Sequence, residues 1–304
     1  MRYISVAVLA LAAVSFSCKK PDTGVRIDPA LATIVPADTI VMAGVRVESI
    51  RQTPLYEKYI AKLGTLRIDE LAQKSGFDPR KDLYELLFVS NGKDAIVMAR
   101  GKFSPLGLEP KAGGVPVQRM SYKGFTLMGD ENSAVAFLNP SVAVAGATPV
   151  LRNFIDHHTD GNGPPKELRD HMGALRPQSQ VWAVSASGDK LAALLPQRGN
   201  LANLNRIVSG VQYATLSLDL RTGVDLAAEA VYGDEKLAKQ TTDALRALLG
   251  LARLNTPNDE PDLLKAWDGI QVNQMGTSMK LTAQLNNEMV DKLTAVAERH
   301  AGAP

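Results

Sequence analysis

Residues 36–50 read PADTIVMAGVRVESI and residues 177–191 read PQSQVWAVSASGDKL. One can be laid on the other without a gap: a proline, three polar or small residues, a short apolar run, then a polar helix start. A brief apolar run bounded by breakers is the mark of a buried strand. The segments C-terminal to the two copies are also alike. YELLFVSNGKDAIVMARGKF (84–103) is a hairpin, with Asn91-Gly92 as its turn, and YATLSLDLRTGVDLAAEAVYG (213–233) is another, turning near Thr222-Gly223. Asn-Gly between β-rich runs is the strongest short hairpin signal, because both residues tolerate positive φ. Each half closes on a strand and then a helix, SVAVAGATPVLRNFI (141–155) and SMKLTAQLNNEMVDKLTAV (278–296). The expectation is an α+β protein of two related lobes, 35–163 and 164–304. Each would be an antiparallel sheet with helices packed mainly on one face, and HHTDGNGPP (157–165) would mark the boundary.

Between these landmarks the punctuation is clear. Thr53-Pro54 opens a helix, with threonine as cap and proline where its missing N–H is not needed, and Gly64 is placed to end it. A short helix is expected over 68–74. Strands are expected near 117–122, 126–128, 133–138 and 141–145, and Thr148-Pro149 repeats the helix opening. The closing helices carry apolar stripes, Leu237, Thr241, Leu245 and Leu248 in one and Met289, Val290, Leu293 and Val296 in the other. In the second half Leu216, Leu218 and Leu220 alternate with Ser217, Asp219 and Arg221, so one sheet face should be apolar and the other wet. The first-half strands, LLFV, AIVMA and AVAFL, are apolar on both faces, and something must cover the second.

The first twenty residues concern address. Met1-Arg2 begins the chain, ISVAVLALAAVSF (4–16) is apolar, and Lys19-Lys20 end the run. This is too short to cross a bilayer comfortably and has the layout of a secretory signal peptide over 1–17. Cys18, the only cysteine in the chain, stands at the boundary, where the stretch resembles a bacterial lipobox. That resemblance implies lipid on the Cys18 sulfur and a mature chain tethered to a membrane through residues 18–34, on the periplasmic or outer face. Cleavage nearby by an ordinary signal peptidase, or retention as an anchor, are the competing readings. Without a further cysteine the folded part has neither disulfides nor cysteine-held zinc. The net charge of +2, with no basic run, argues against a nucleic-acid partner.

Two constellations carry chemistry on paper. Ser187 and Lys190 fit Ser-x-x-Lys at a strand-to-helix junction, where a lysine one turn on can serve as base for a serine nucleophile. Arg221-Thr222-Gly223 resembles the Lys-Thr-Gly strand of penicillin-binding proteins, but it carries arginine for lysine and suits a hairpin turn better. Asp156, His157 and His158, with Asp160 and His171, are the one histidine cluster and the candidate metal ligands. Against this, adjacent residues diverge by about 100° on a helix. No nucleophile elbow, phosphate loop or dinucleotide fingerprint occurs, and no cofactor is implied.

PADTIVMAGVRVESIRQTPLYEKY (36–59), GFDPRKDLYELLFV (76–89) and AIVMARGKF (95–103) together resemble a group of uncharacterised exported bacterial proteins that open with a Pro-Ala-Asp-Thr strand. The resemblance implies an exported α+β domain and assigns no active-site residue. The functional expectation is a lipid-anchored, non-catalytic binding or envelope-assembly module. Its partner would be an envelope protein or an apolar ligand. The alternatives are a periplasmic carrier of an apolar ligand and a serine or metal hydrolase.

Overall fold

The computed structural model describes residues 24–59, 69, 77–103, 111–112, 115–116, 118–160, 163–194 and 210–301. The leader, Cys18, Gly64 and, apart from residue 69, the helix expected over 68–74 lie outside them.

The strands are β1 (Val41–Val45), β2 (Leu83–Ser90), β3 (Ala95–Gly101), β4 (Lys111–Ala112), β5 (Val115–Pro116), β6 (Arg119–Tyr122), β7 (Phe125–Gly129), β8 (Ser133–Asn139) and β9 (Val142–Ala147) in the first half. The second half has β10 (Val181–Ser185), β11 (Val211–Asp219), β12 (Gly223–Tyr232), β13 (Ile270–Met275) and β14 (Ser278–Asn286). The chain also forms the short helices α2 (Val47–Arg51), α4 (Pro79–Asp82) and α9 (Pro261–Asp268). Apart from the small β4–β5 pair, all the strands join one sheet of twelve in the order β13-β14-β12-β11-β10-β1-β2-β3-β9-β8-β7-β6. The protein is α+β, and its two halves share a single continuous antiparallel sheet.

The two quoted stretches meet at its centre. β1 pairs antiparallel with β10 and Ala43 faces Ala183. Outward from that pair the order is β2, β3, β9, β8 on one side and β11, β12, β14, β13 on the other. The gap-free alignment is one residue out of step with this arrangement. It matches Val41 to Trp182, yet Trp182 stands opposite Gly44 and Val41 opposite Ser185. Val41 and Trp182 therefore point to opposite faces, since a slip of one residue exchanges faces. Val41 and Val181, each the first residue of its strand, lie on the same face.

Cross-strand register defines two faces. The front carries Met42, Leu87, Met98, Val144 and Trp182, and the back carries Ala43, Phe88, Val97, Ala183 and Leu216. In the first half the main helices cover the front. Leu151, Phe154 and Ile155 of α5 (Thr148–His157) and Leu168 and Met172 of α6 (Lys166–Ala174) join Leu87, Met98 and Trp182 in the largest core. The two long C-terminal helices lie behind. Ala238, Leu237 and Leu245 of α8 (Glu235–Leu254) pack on Ala214, Ala230 and Met279, and Val290 of α10 (Asn287–Ala301) joins Leu218 and Val224. Opposite coverage departs from the expectation of two lobes alike in layout. Ser217, read from the alternation as wet, is a further departure. Ser217 sits on the front beside Trp182, is buried, and donates to Ala227 O at 3.4 Å. Part of the doubly apolar first half is closed from behind by Phe77 and Phe103, packed on Ala143, Ala99 and Phe137; Val97 stays 37% exposed.

Three further expectations change. The segment read as a tether is packed from Gly24 onward: Val25 N–H donates to Met172 O at 3.2 Å, and Leu31 of α1 (Pro29–Ala32) is wholly buried. A Cβ at Gly24 would stand 2.1 Å from Met172 O, so only glycine allows that approach. Thr148 does not cap α5. Its hydroxyl donates to Asp130 O at 2.6 Å, and Ala147 occupies the cap position without a side-chain bond. The Asn91-Gly92 hairpin closes with four loop residues, 91–94, between Ser90 and Ala95. Thr53, as expected, accepts from Tyr56 N–H at the head of α3 (Pro54–Lys58).

Candidate functional site

Two chambers flank the start of β1, one on each face. The back chamber, about 420 Å³, has a floor made by small residues in register. Ala183, Leu216, Ala228 and Leu281 form one row across four strands, and Ala214 and Ala230 form the next row on β11 and β12. Alanine ends at Cβ, so a sheet surface rich in it cannot reach the layer above. Leu191 of α7 (Gly188–Leu194) and Leu245 of α8 supply apolar walls. Val41, Val211 and Met279 extend the aliphatic lining, and Ser185, Thr215 and Glu229 are its polar members. The sequence contained this signal as the small residues of YATLSLDL and DLAAEAV, but only the roofing helices turn an alanine-rich strand into a cavity rather than a close-packed layer.

The front chamber, about 340 Å³, lies between the Pro36–Thr39 loop, the 91–94 hairpin turn and the C-terminal half of α5. Val89, Ile96, Val150 and Phe154 line its apolar part; Asp38, Asp94, Asp160, His157 and His158 line its polar part. Asn91 ties the mouth together. Its amide donates to Asp38 Oδ2 at 2.8 Å, and its carbonyl accepts from the N–H groups of Lys93 and Asp94.

The histidine cluster is thus divided. His157 and His158 share the front chamber, each with Nδ1 against a backbone carbonyl, Asn153 O at 2.9 Å and Ile155 O at 2.8 Å. Asp156 turns elsewhere: it accepts from the Tyr122 hydroxyl at 3.0 Å and pairs with Lys123 at 2.7 Å. These two donors hold its carboxyl below the ordinary range, Lys123 more strongly. His171 stacks on Tyr213 at 4.0 Å, in the other half. Among the described residues no three His, Cys, Asp or Glu side chains converge to hold a metal ion. The metal set of Asp156, His157, His158 and His171 is not assembled, because consecutive helical residues diverge and α6 carries its histidine to a different strand.

Ser187 and Lys190 have structural partners. Ser187 Oγ accepts from Lys190 N–H at 3.4 Å, the geometry of a serine at the start of α7. The Lys190 stem lies against Gly92, where an added Cβ would stand 2.6 Å from Lys190 Cδ.

One ionisable group that the sequence did not single out is buried. Glu85, on the front of β2, is 9% exposed and accepts from Asp28 N–H at 3.2 and 3.4 Å. Burial pushes its carboxyl up to about 7; the Asp28 N–H and the charge of Arg46 pull the other way. Arg46 donates to Pro177 O and Arg26 O, so the two residues together hold the 24–28 segment to the sheet.

No family model and no curated protein matches the chain. Among solved structures, crystal form III of TP0453 is similar at a TM-score of 0.51 and 12% identity, covering 87% of this chain and 96% of that one. Crystal form IV gives 0.46 at 11% identity over 88% and 97% of the two chains, and form I gives 0.45 at 14% over 89% and 98%. The likeness to form III is one of fold. Among the described residues no helix is long and apolar enough to cross a membrane.

Proposed function

We propose that this protein is an extracytoplasmic, lipid-anchored binding protein that holds an apolar ligand in the back chamber and performs no chemistry on it. The aliphatic chamber of about 420 Å³ carries the reading. A chamber of that size, apolar among its described lining residues except for Ser185, Thr215 and Glu229, forfeits dispersion contacts along its walls, and an apolar chain entering it recovers them while leaving water. The chamber lies on the second half of the sheet, not beneath the doubly apolar first half where the sequence pointed. The lipobox-like leader supports a tethered, exported address, with Cys18 as the lipid-bearing residue. An envelope-assembly role has one observation behind it: Leu248, Leu251 and Leu254 of α8 are 48%, 55% and 79% exposed at three-residue spacing, an apolar stripe suited to a protein partner.

The test is fluorescence titration of the purified protein with a fluorescent long-chain fatty acid. The unaltered protein should bind it saturably, while Ala228→Phe, which fills the floor, and Leu245→Trp, which fills from the wall, should not. Unchanged binding in both folded variants would sink the assignment.

A further inference from the structure

We propose that the front chamber is a second, separate binding site, and that it takes an organic ammonium ion carried on an apolar body. The carboxylates alone would be no more than a charged surface patch. What makes them a site is the chamber of about 340 Å³ beneath them, apolar below and polar at the mouth, so that a ligand must match both parts.

The polar part selects for a donor. Asp38, Asp94 and Asp160 are acceptors, and no lysine or arginine is among the described lining residues. A backbone carbonyl can only accept, so the contacts from His157 and His158 to Asn153 O and Ile155 O place each ring proton on Nδ1. In the neutral ring this leaves both Nε2 atoms as acceptors. Two donors at the mouth are spent, the Asn91 amide on Asp38 and the Ser90 hydroxyl on Asp94 O, while Thr39 and Asn153 also line the chamber. An anionic ligand would meet like charge here, and a neutral apolar one would leave this ring of acceptors without donors. A bare metal ion is not the match either, since no three of these groups converge among the described residues. An ammonium group offers several N–H donors and tolerates spread acceptors. Its apolar body would cover Val89, Ile96, Val150 and Phe154.

Two features singled out separately in the sequence meet only here: the Pro-Ala-Asp-Thr opening and the His-His pair. Neither has a role in the back chamber, so the two sites stand or fall independently.

Isothermal titration calorimetry with n-octylammonium chloride, sodium octanoate and octanol on the same purified protein tests the proposal. With the back chamber filled by Ala228→Phe, octylammonium should bind more tightly than octanoate or octanol, and its affinity should fall with added salt. The double variant Asp38→Asn/Asp94→Asn keeps the mouth hydrogen bonds available and should weaken octylammonium by roughly tenfold, the scale of two partly exposed charge pairs. Ala228→Phe should leave it unchanged. Octanoate binding as well as octylammonium in the Ala228→Phe protein, whose back chamber is filled, would overturn the proposal, as would salt-independent affinity for octylammonium. Loss of octylammonium binding in Ala228→Phe would also overturn it, by placing the ligand in the other chamber. Should the double variant not fold, the salt dependence of the unaltered protein decides.

Discussion

Glu85→Gln should make this protein more stable, and only above a defined pH. Burial pushes the Glu85 carboxyl from 4.5 up to about 7, so between those values the folded state binds more protons than the unfolded one. Stability must then fall as pH rises through that window, because the unfolded chain ionises there without penalty. Below the window both states are protonated and no cost exists; above it both are ionised and the whole cost is present. At about 1.4 kcal/mol per pH unit, the difference amounts to about 3 kcal/mol. Glutamine keeps an acceptor for Asp28 N–H but carries no charge, so it removes the cost. Urea denaturation of wild type and variant at pH 5, 6, 7 and 8 is the assay. The stability difference should be small at pH 5, grow through pH 7 and approach about 3 kcal/mol at pH 8, with unchanged slopes. The four histidines and the other carboxylates titrate in both proteins and cancel in the difference. A difference that is the same at every pH, or a wild type more stable at pH 8, would refute the account of Glu85 as a buried acid whose charge opposes folding.

Gly44→Ala should destabilise the centre of the sheet. The new Cβ would lie 2.3 Å from the Trp182 ring, a residue with no exposed surface, so ring or strand must shift; overpacking of this kind costs about 1–3 kcal/mol, and a urea midpoint equal to wild type would contradict it. Metabolic palmitate labelling with membrane fractionation in a bacterial host should show label and membrane retention in wild type and neither in Cys18→Ser; an unlabelled wild type would remove the anchor from the proposed function.

Features that depend on neighbouring residues could be read directly from the chain. β1, β10, the two long hairpins and the strand-then-helix endings were legible because apolar alternation and turn residues act locally. The α+β class followed from them. What depended on distant partners was not legible. Period-two alternation says that Ser217 and Leu216 face opposite ways, but not which face is covered, and the front helices reach far enough to bury Ser217 beside Trp182. Leu31 sits in a polar stretch with no periodicity, so nothing local announced that the supposed tether is core. The one-residue offset between the two quoted strands escaped the alignment because similarity of residue type cannot see register, whereas the Ala43–Ala183 pairing does. The sites show the same division. Ser187 and Lys190, and the Asp156–His171 cluster, were proposed from spacing, and spacing placed them correctly along the chain without saying what each side chain meets. Only the tertiary structure brought Asp38, Asp94 and His157 to one mouth, and only the roofing helices made a chamber of alanines. A cavity is a failure of distant elements to touch, and no local pattern encodes it.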